Sequence, residues 1–256
     1  MSFAHTLILG LIAGGTIVLG LPVGRMTNTR PNVRHFLSAL AVGVLMFLVW
    51  DVLSAAWEPI DAALPADSRN LGHVFGYGAL MFAGVGIGLL GIVWYERRTV
   101  KAEAVIEGRK LAMLIAIGIG LHNFAEGLGI GAAAAENSTL LATTLVVGFA
   151  LHNATEGFGI TAPLAGGQKP SWGYLGLLGL IGGGPTLVGT LIGHSFHSDA
   201  TNVAFLSLAA GSIIYVVIQL IGVAARARKT DILAAGLFLG LVAGFITDAI
   251  VGAGGA

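Results

Sequence analysis

The strongest constraint on this chain is a series of long apolar stretches. Eight of them fall at about 4–24, 35–57, 71–95, 110–135, 139–165, 173–196, 200–224 and 231–253, each on the scale of the roughly 20 residues a helix needs to cross a bilayer. Charge clusters and Pro/Gly turns separate them, and the connections are too short to hold a soluble domain. With 55% of its 256 residues hydrophobic and 10% charged, a water-soluble fold would have nowhere to bury its apolar surface. The expected fold is therefore an all-α integral membrane protein, a single polytopic transmembrane domain over 1–256 with eight helices. The first stretch has no basic region ahead of it and is followed by Arg25, Arg30 and Arg34, so it reads as a span rather than a cleavable leader.

The basic residues give the expected orientation. Of 13 Lys and Arg, all but Arg69 fall in the connections 1–2, 3–4, 5–6 and 7–8. These include Arg25, Arg30, Arg34, Arg97, Arg98, Lys101, Arg109, Lys110, Lys169, Arg226, Arg228 and Lys229. The positive-inside rule puts that face in the cytoplasm and both termini outside. Formal net charge is zero, so nothing points to a nucleic-acid partner; the bilayer is the expected surroundings. The absence of cysteine excludes disulfides, thiolate metal sites and thiol redox chemistry. The 40 glycines suggest close helix packing, and glycine-rich faces would allow a homodimer.

Two of the apolar stretches carry the same polar insertion. "LHNFAEGLGI" occupies 121–130 and "LHNATEGFGI" occupies 151–160. Aligning 118–132 on 148–162 leaves 9 of 15 positions identical, a count taken directly from the sequence. The copies lie in successive spans, so they cross the membrane in opposite directions, as inverted repeats do at transport sites. A His at i and a Glu at i+4 share one helical face, and the Asn at i+1 lies about 100° round on its flank. Two touching antiparallel helices would thus direct His122, Glu126, His152 and Glu156 at one another. An ionised side chain at mid-bilayer costs about 2.5 kcal/mol or more, so four such groups in one layer need a shared partner. A divalent cation satisfies them: carboxylates offset its charge, imidazoles supply nitrogen, and Asn123 and Asn153 offer weaker oxygen contacts. A structural His–Glu pairing or a proton relay is the competing reading. Mixed N and O donors accept Zn, Fe, Mn, Co or Cd alike.

These motifs resemble the ZIP (Zrt- and Irt-like) family of divalent metal transporters, in its short prokaryotic GufA-like branch. Members carry HN-x-x-EG in the fourth and fifth of eight helices, with both termini outside. The matching residues are His122, Asn123, Glu126 and Gly127, then His152, Asn153, Glu156 and Gly157. The resemblance implies a metal site between helices 4 and 5. It also implies uptake of zinc, or of iron, manganese or cadmium, across a prokaryotic plasma (inner) membrane, with the metal as substrate and no organic cofactor. Asp51, inside the second span, stands where members often place a His on the ion route. Ala125 and Thr155 replace a Pro common in the motif. Gly184 stands before Pro185 where many members carry a Glu that completes a second metal position, and the connection between spans three and four has no His.

Other polar residues have simpler expectations. Asp248 reads as a solvated helix end or a pore-mouth group. His194, His197 and Asp199 form an outer turn that could collect metal. Trp50, Trp57, Trp94 and Trp172 read as interface anchors. An intramembrane hydrolase or oxygenase would use the same ligands but needs an open water position and a base beyond them. H-E-x-x-H and the di-iron Glu-x-x-His order are both missing, and no nucleophile is paired with a base, so no enzyme is expected.

Overall fold

A computed structural model describes residues 1–26, 31–64, 70–99, 107–135, 139–164, 168–195, 198–226 and 228–253. Arg30, Arg69, Lys101 and His197 lie outside the described residues. Among the described residues the chain is helical throughout: α1 (Phe3–Gly15), α2 (Pro31–Asp61), α3 (Leu71–Thr99), α4 (Gly108–Ala135), α5 (Thr139–Thr161), α6 (Trp172–Gly193), α7 (Asp199–Arg226) and α8 (Thr230–Ala253). Ser2 caps α1 by accepting from the His5 N–H at 3.4 Å. After Gly15 the helix tightens into 3-10 turns, Thr16–Leu19 and Leu21–Arg25. Pro22 has no N–H with which to continue an α ladder there.

Among the described residues, seven segments are long and apolar enough to cross a membrane. The exception is α5, 23 residues long. His152, Asn153, Thr155 and Glu156, with Thr143 and Thr144, dilute its apolar character. Such a helix can sit in lipid only with its polar face turned into protein, and His152, Asn153 and Glu156 are all buried. Its partner α4 is the most enclosed helix: 78% of its apolar window is buried, against 22% in α3 and 17% in α8. The bundle is thus built around α4, with α3 and α8 facing outward.

Backbone proximity fixes the directions of the helices. A Cβ on Gly127 would overlap Thr186 O, and one on Gly131 would overlap Thr190 O, so α4 and α6 run parallel. Reciprocally, Gly189 and Gly193 of α6 meet Phe124 O and Leu128 O of α4. The same two-way arrangement joins α2 to α8 (Gly43 with Leu237 O, Gly240 with Leu40 O) and α3 to α7 (Gly88 with Leu208 O, Gly211 with Val85 O). It also joins the 3-10 extension of α1 to α5 (Gly157 with Ile17 O, Gly20 with Ala154 O). Without a hydrophobic drive between helices in lipid, such close contact supplies the dispersion energy that holds them.

Antiparallel contacts complete the bundle. Gly10 faces Thr190 and Gly14 faces Gly183, so α1 opposes α6. Connections 1–2, 3–4, 5–6 and 7–8 therefore share one end, here called the basic end. There Arg25 stacks 4.6 Å over Trp172, and Arg109 stacks 4.3 Å over Tyr174, whose hydroxyl donates to Arg109 O at 2.6 Å. A separate polar tie joins α3 to α7: Glu96 Oε2 accepts from Tyr215 OH at 2.9 Å and from Gln219 Nε2 at 3.2 Å.

Candidate metal centre

The i, i+4 spacing puts His122 and Glu126 on the α4 face turned toward α5, and α5 returns the same pattern from the opposite direction. His122 consequently faces Glu156, and Glu126 faces His152. Glu126 Oε1 is 2.5 Å from His152 Nε2 and 3.0 Å from His122 Nε2. His122 Nε2 lies 3.6 Å from Glu156 Oε1, and the two imidazole centroids are 6.2 Å apart. One ligand atom each from His122, Glu126 and His152 falls within a 4.8 Å span, close enough for all three to share one ion.

All four residues are buried, yet several of their polar atoms have no hydrogen-bond partner. These are both nitrogens of His122, Glu126 Oε2 and Glu156 Oε1. His122 Nε2 is near Glu126 but off the line a hydrogen bond requires. Orphaned polar atoms in a protein interior cost about 1–3 kcal/mol each, more if charged. A cation placed among them would use these lone pairs.

The two asparagines occupy the flank and make helix ties. Asn123 Nδ2 donates to Gly182 O at 2.9 Å and to Glu156 Oε2 at 3.3 Å. Pro185 removes the N–H that would otherwise reach Ile181 O, in the same turn of α6. Asn153 Nδ2 donates to Ala13 O of α1 at 3.0 Å. Both amide oxygens remain buried without partners. The amides thus hold the site's frame to α6 and α1 and leave their oxygens unused.

A cavity of about 330 Å³ leads to the cluster. Its α2 wall runs from Val44 past Asp51 to Ala55, its α8 wall from Ala243 to Asp248, and its α5 wall from Leu145 to Thr155. Each wall extends from the cluster toward the end opposite the basic one. Asp51 and Asp248 stand on the adjoining α2 and α8 walls, outside the three-ligand group. Asp248 is thereby a cavity residue as well as a helix end. Its only signal in the sequence was an acid inside an apolar run. His194 caps the C-terminus of α6, and Asp199 begins α7. At Gly184 a Cβ would make only an ordinary 3.4 Å contact with Leu180.

The fold and the site together define a polytopic helical membrane protein with a buried, cation-competent His/Glu cluster at the end of a one-sided cavity. The family model for ZIP zinc transporters matches residues 96–248, and the chain belongs to that family. Among curated proteins, the zinc transporter ZupT of Salmonella arizonae is 30% identical over 146 residues, covering 52% of each chain. ZupT of Salmonella typhimurium and of Salmonella enteritidis give the same identity and coverage. The chain thus spans about half the length of the curated relatives it matches.

Proposed function

We propose that this chain moves divalent metal ions, zinc foremost, across a prokaryotic plasma membrane as a transporter rather than as an enzyme. The observation that carries this reading is the placement of His122, Glu126, His152 and Glu156, with unpartnered donor atoms, at the blind end of the cavity. Binding must be strong enough to strip water from the ion and weak enough to release it. Two carboxylates offset a dication's charge and two neutral imidazoles supply nitrogen donors, while Asn123 and Asn153 have free oxygens to follow the ion as it shifts. Asp51, with Asp248 on the adjoining helix, draws the cation into the cavity electrostatically. ZupT relatives carry the name zinc transporter, which favours zinc among ions that N and O donors accept. With the basic end in the cytoplasm, the open cavity faces outward, and the movement is uptake.

The test is zinc uptake by purified protein in proteoliposomes, comparing wild type with Glu126→Ala, Glu156→Ala and His122→Ala across several metals. Saturable wild-type flux lost in all three variants supports the reading. Metal-dependent turnover of a substrate without flux would favour an intramembrane hydrolase or oxygenase instead.

A further inference from the structure

The cavity leading to the ligand cluster is larger and more apolar than a bare ion needs. At about 330 Å³ it has room for on the order of ten waters. Val44, Phe47, Leu48, Val52, Phe149 and Leu206 supply its apolar wall. The two hydroxyls on that wall, of Thr155 and Thr247, donate within their own helices, to His152 O at 2.7 Å and to Ala243 O at 2.9 Å. Water against such a wall finds few partners, and an apolar group that displaces it gains affinity.

The fixed charge of the same wall has one sign. Asp51, Asp248 and Glu126 line the space, and no Lys or Arg does. Glu126 is buried, and its Oε2 has no hydrogen-bond partner. Two phenylalanine rings, Phe47 and Phe149, stand in the lining, and aromatic rings attract quaternary ammonium groups. Attraction between opposite charges strengthens where water is excluded. The cost of dehydrating an ion grows with the square of its charge and falls with its radius. A large monovalent cation therefore loses far less on entering such a space than a small dication.

We propose that this cavity binds apolar monovalent organic cations of the quaternary ammonium class, which exclude the metal by occupying its approach to the cluster. The exclusion rests on the transporter reading; the binding does not. A quaternary ammonium has no lone pair and no N–H, so it cannot ligate the metal or stand in for an imidazole. Its alkyl groups lie against the apolar wall, and its charge answers the acids. A cavity of this volume is of the size that takes small organic ligands.

The binding arm of the test is calorimetry on the metal-free full chain in detergent. Tetrapropylammonium is expected to bind at least tenfold more tightly than tetramethylammonium, because its added methylenes are buried. Asp51→Asn should weaken both cations at least threefold and keep their ratio. Gly129 lines the cavity, and a Cβ there meets nothing within 4 Å. Gly129→Leu should therefore fill part of the space and weaken tetrapropylammonium at least threefold more than tetramethylammonium. The flux arm is zinc uptake in proteoliposomes. Tetrapropylammonium should raise the half-saturating zinc concentration severalfold with an unchanged maximal rate, and benzenesulfonate, a water-soluble anion, should not. No binding of tetrapropylammonium, or a size series flat within twofold, would overturn the proposal. So would an affinity indifferent to both substitutions with unaltered thermal transitions, or a fall in maximal rate alone. Absent zinc flux in wild type would instead sink the transporter reading, and calorimetry would still decide the binding.

Discussion

Glu126 and His152, 26 positions apart in the chain, meet at 2.5 Å across the α4–α5 interface. The same carboxylate oxygen also faces His122 at 3.0 Å. Glu126 is therefore the shared acid of both imidazoles, which ranks it above Glu156. Glu126→Gln keeps the shape and removes the charge. Even outer-shell partners of metal ligands are worth about 10–100-fold in affinity, and a direct charged ligand should cost at least that much. Zinc titration of the purified variant by calorimetry checks this, with Glu156→Gln expected to lose less.

Asn153 gives a different signature. Its amide ties α5 to Ala13 O of α1, and hydrogen bonds between membrane helices are worth about 0.6 kcal/mol, up to about 1.7. Asn153→Ala should lower the thermal transition of the metal-free protein by a few degrees. If zinc affinity falls without any thermal change, Asn153 acts as a ligand rather than a tie.

Gly127 and Gly129 make a paired test of packing. A methyl at Gly127 overlaps the Thr186 carbonyl, whereas one at Gly129 meets nothing within 4 Å. Gly127→Ala should therefore cost about 1–3 kcal/mol as an overpacked contact and reduce the yield of folded protein. Gly129→Ala should fold normally, its methyl entering the cavity wall. Thermal stability in detergent and monodispersity on gel filtration decide the comparison.

Acid should slow uptake. Protons and metal compete for the same imidazole nitrogens, so binding weakens as His122 and His152 are protonated. Initial zinc uptake should fall severalfold between about pH 7.5 and about pH 5.5, through the ordinary histidine range, and recover at higher zinc. A rate indifferent to pH at sub-saturating zinc would mean the imidazoles do not bind it.

Tyr215→Phe isolates the tie between α3 and α7. It removes the hydroxyl that donates to Glu96 and leaves Gln219 as the donor to that carboxylate. The expected loss is about 1 kcal/mol of stability. Zinc affinity should stay unchanged, because this cluster lies on the α3–α7 side, away from the ligands.

The parts of this architecture that were legible in the sequence share one property: they are polar residues where lipid forbids them. His122, Glu126, His152 and Glu156 stood out because nothing else in α4 beyond its first turn, or in α5, is ionisable, and the i, i+4 spacing gave their common face. The role of Asn153 was not legible, since a residue 100° round the helix points to whichever neighbour packs there, and that neighbour proved to be α1. The glycine pairings were hidden for the same reason: composition signalled closeness without saying that α4 would lie along α6. Asp248 read as a solvated helix end or a pore-mouth group, and only the placement of α8 beside α2 puts it on the cavity wall.

The bond between Asn153 and Ala13 has a consequence for biogenesis. Its partners are 140 positions apart, so the first helix to leave the ribosome has no counterpart waiting at the site. That helix must rest in the lipid, held by its own hydrophobicity, until the fifth is inserted and turned to meet it. The ion-holding layer therefore cannot assemble until the fifth helix is made, and a chain halted before residue 153 would lack it altogether.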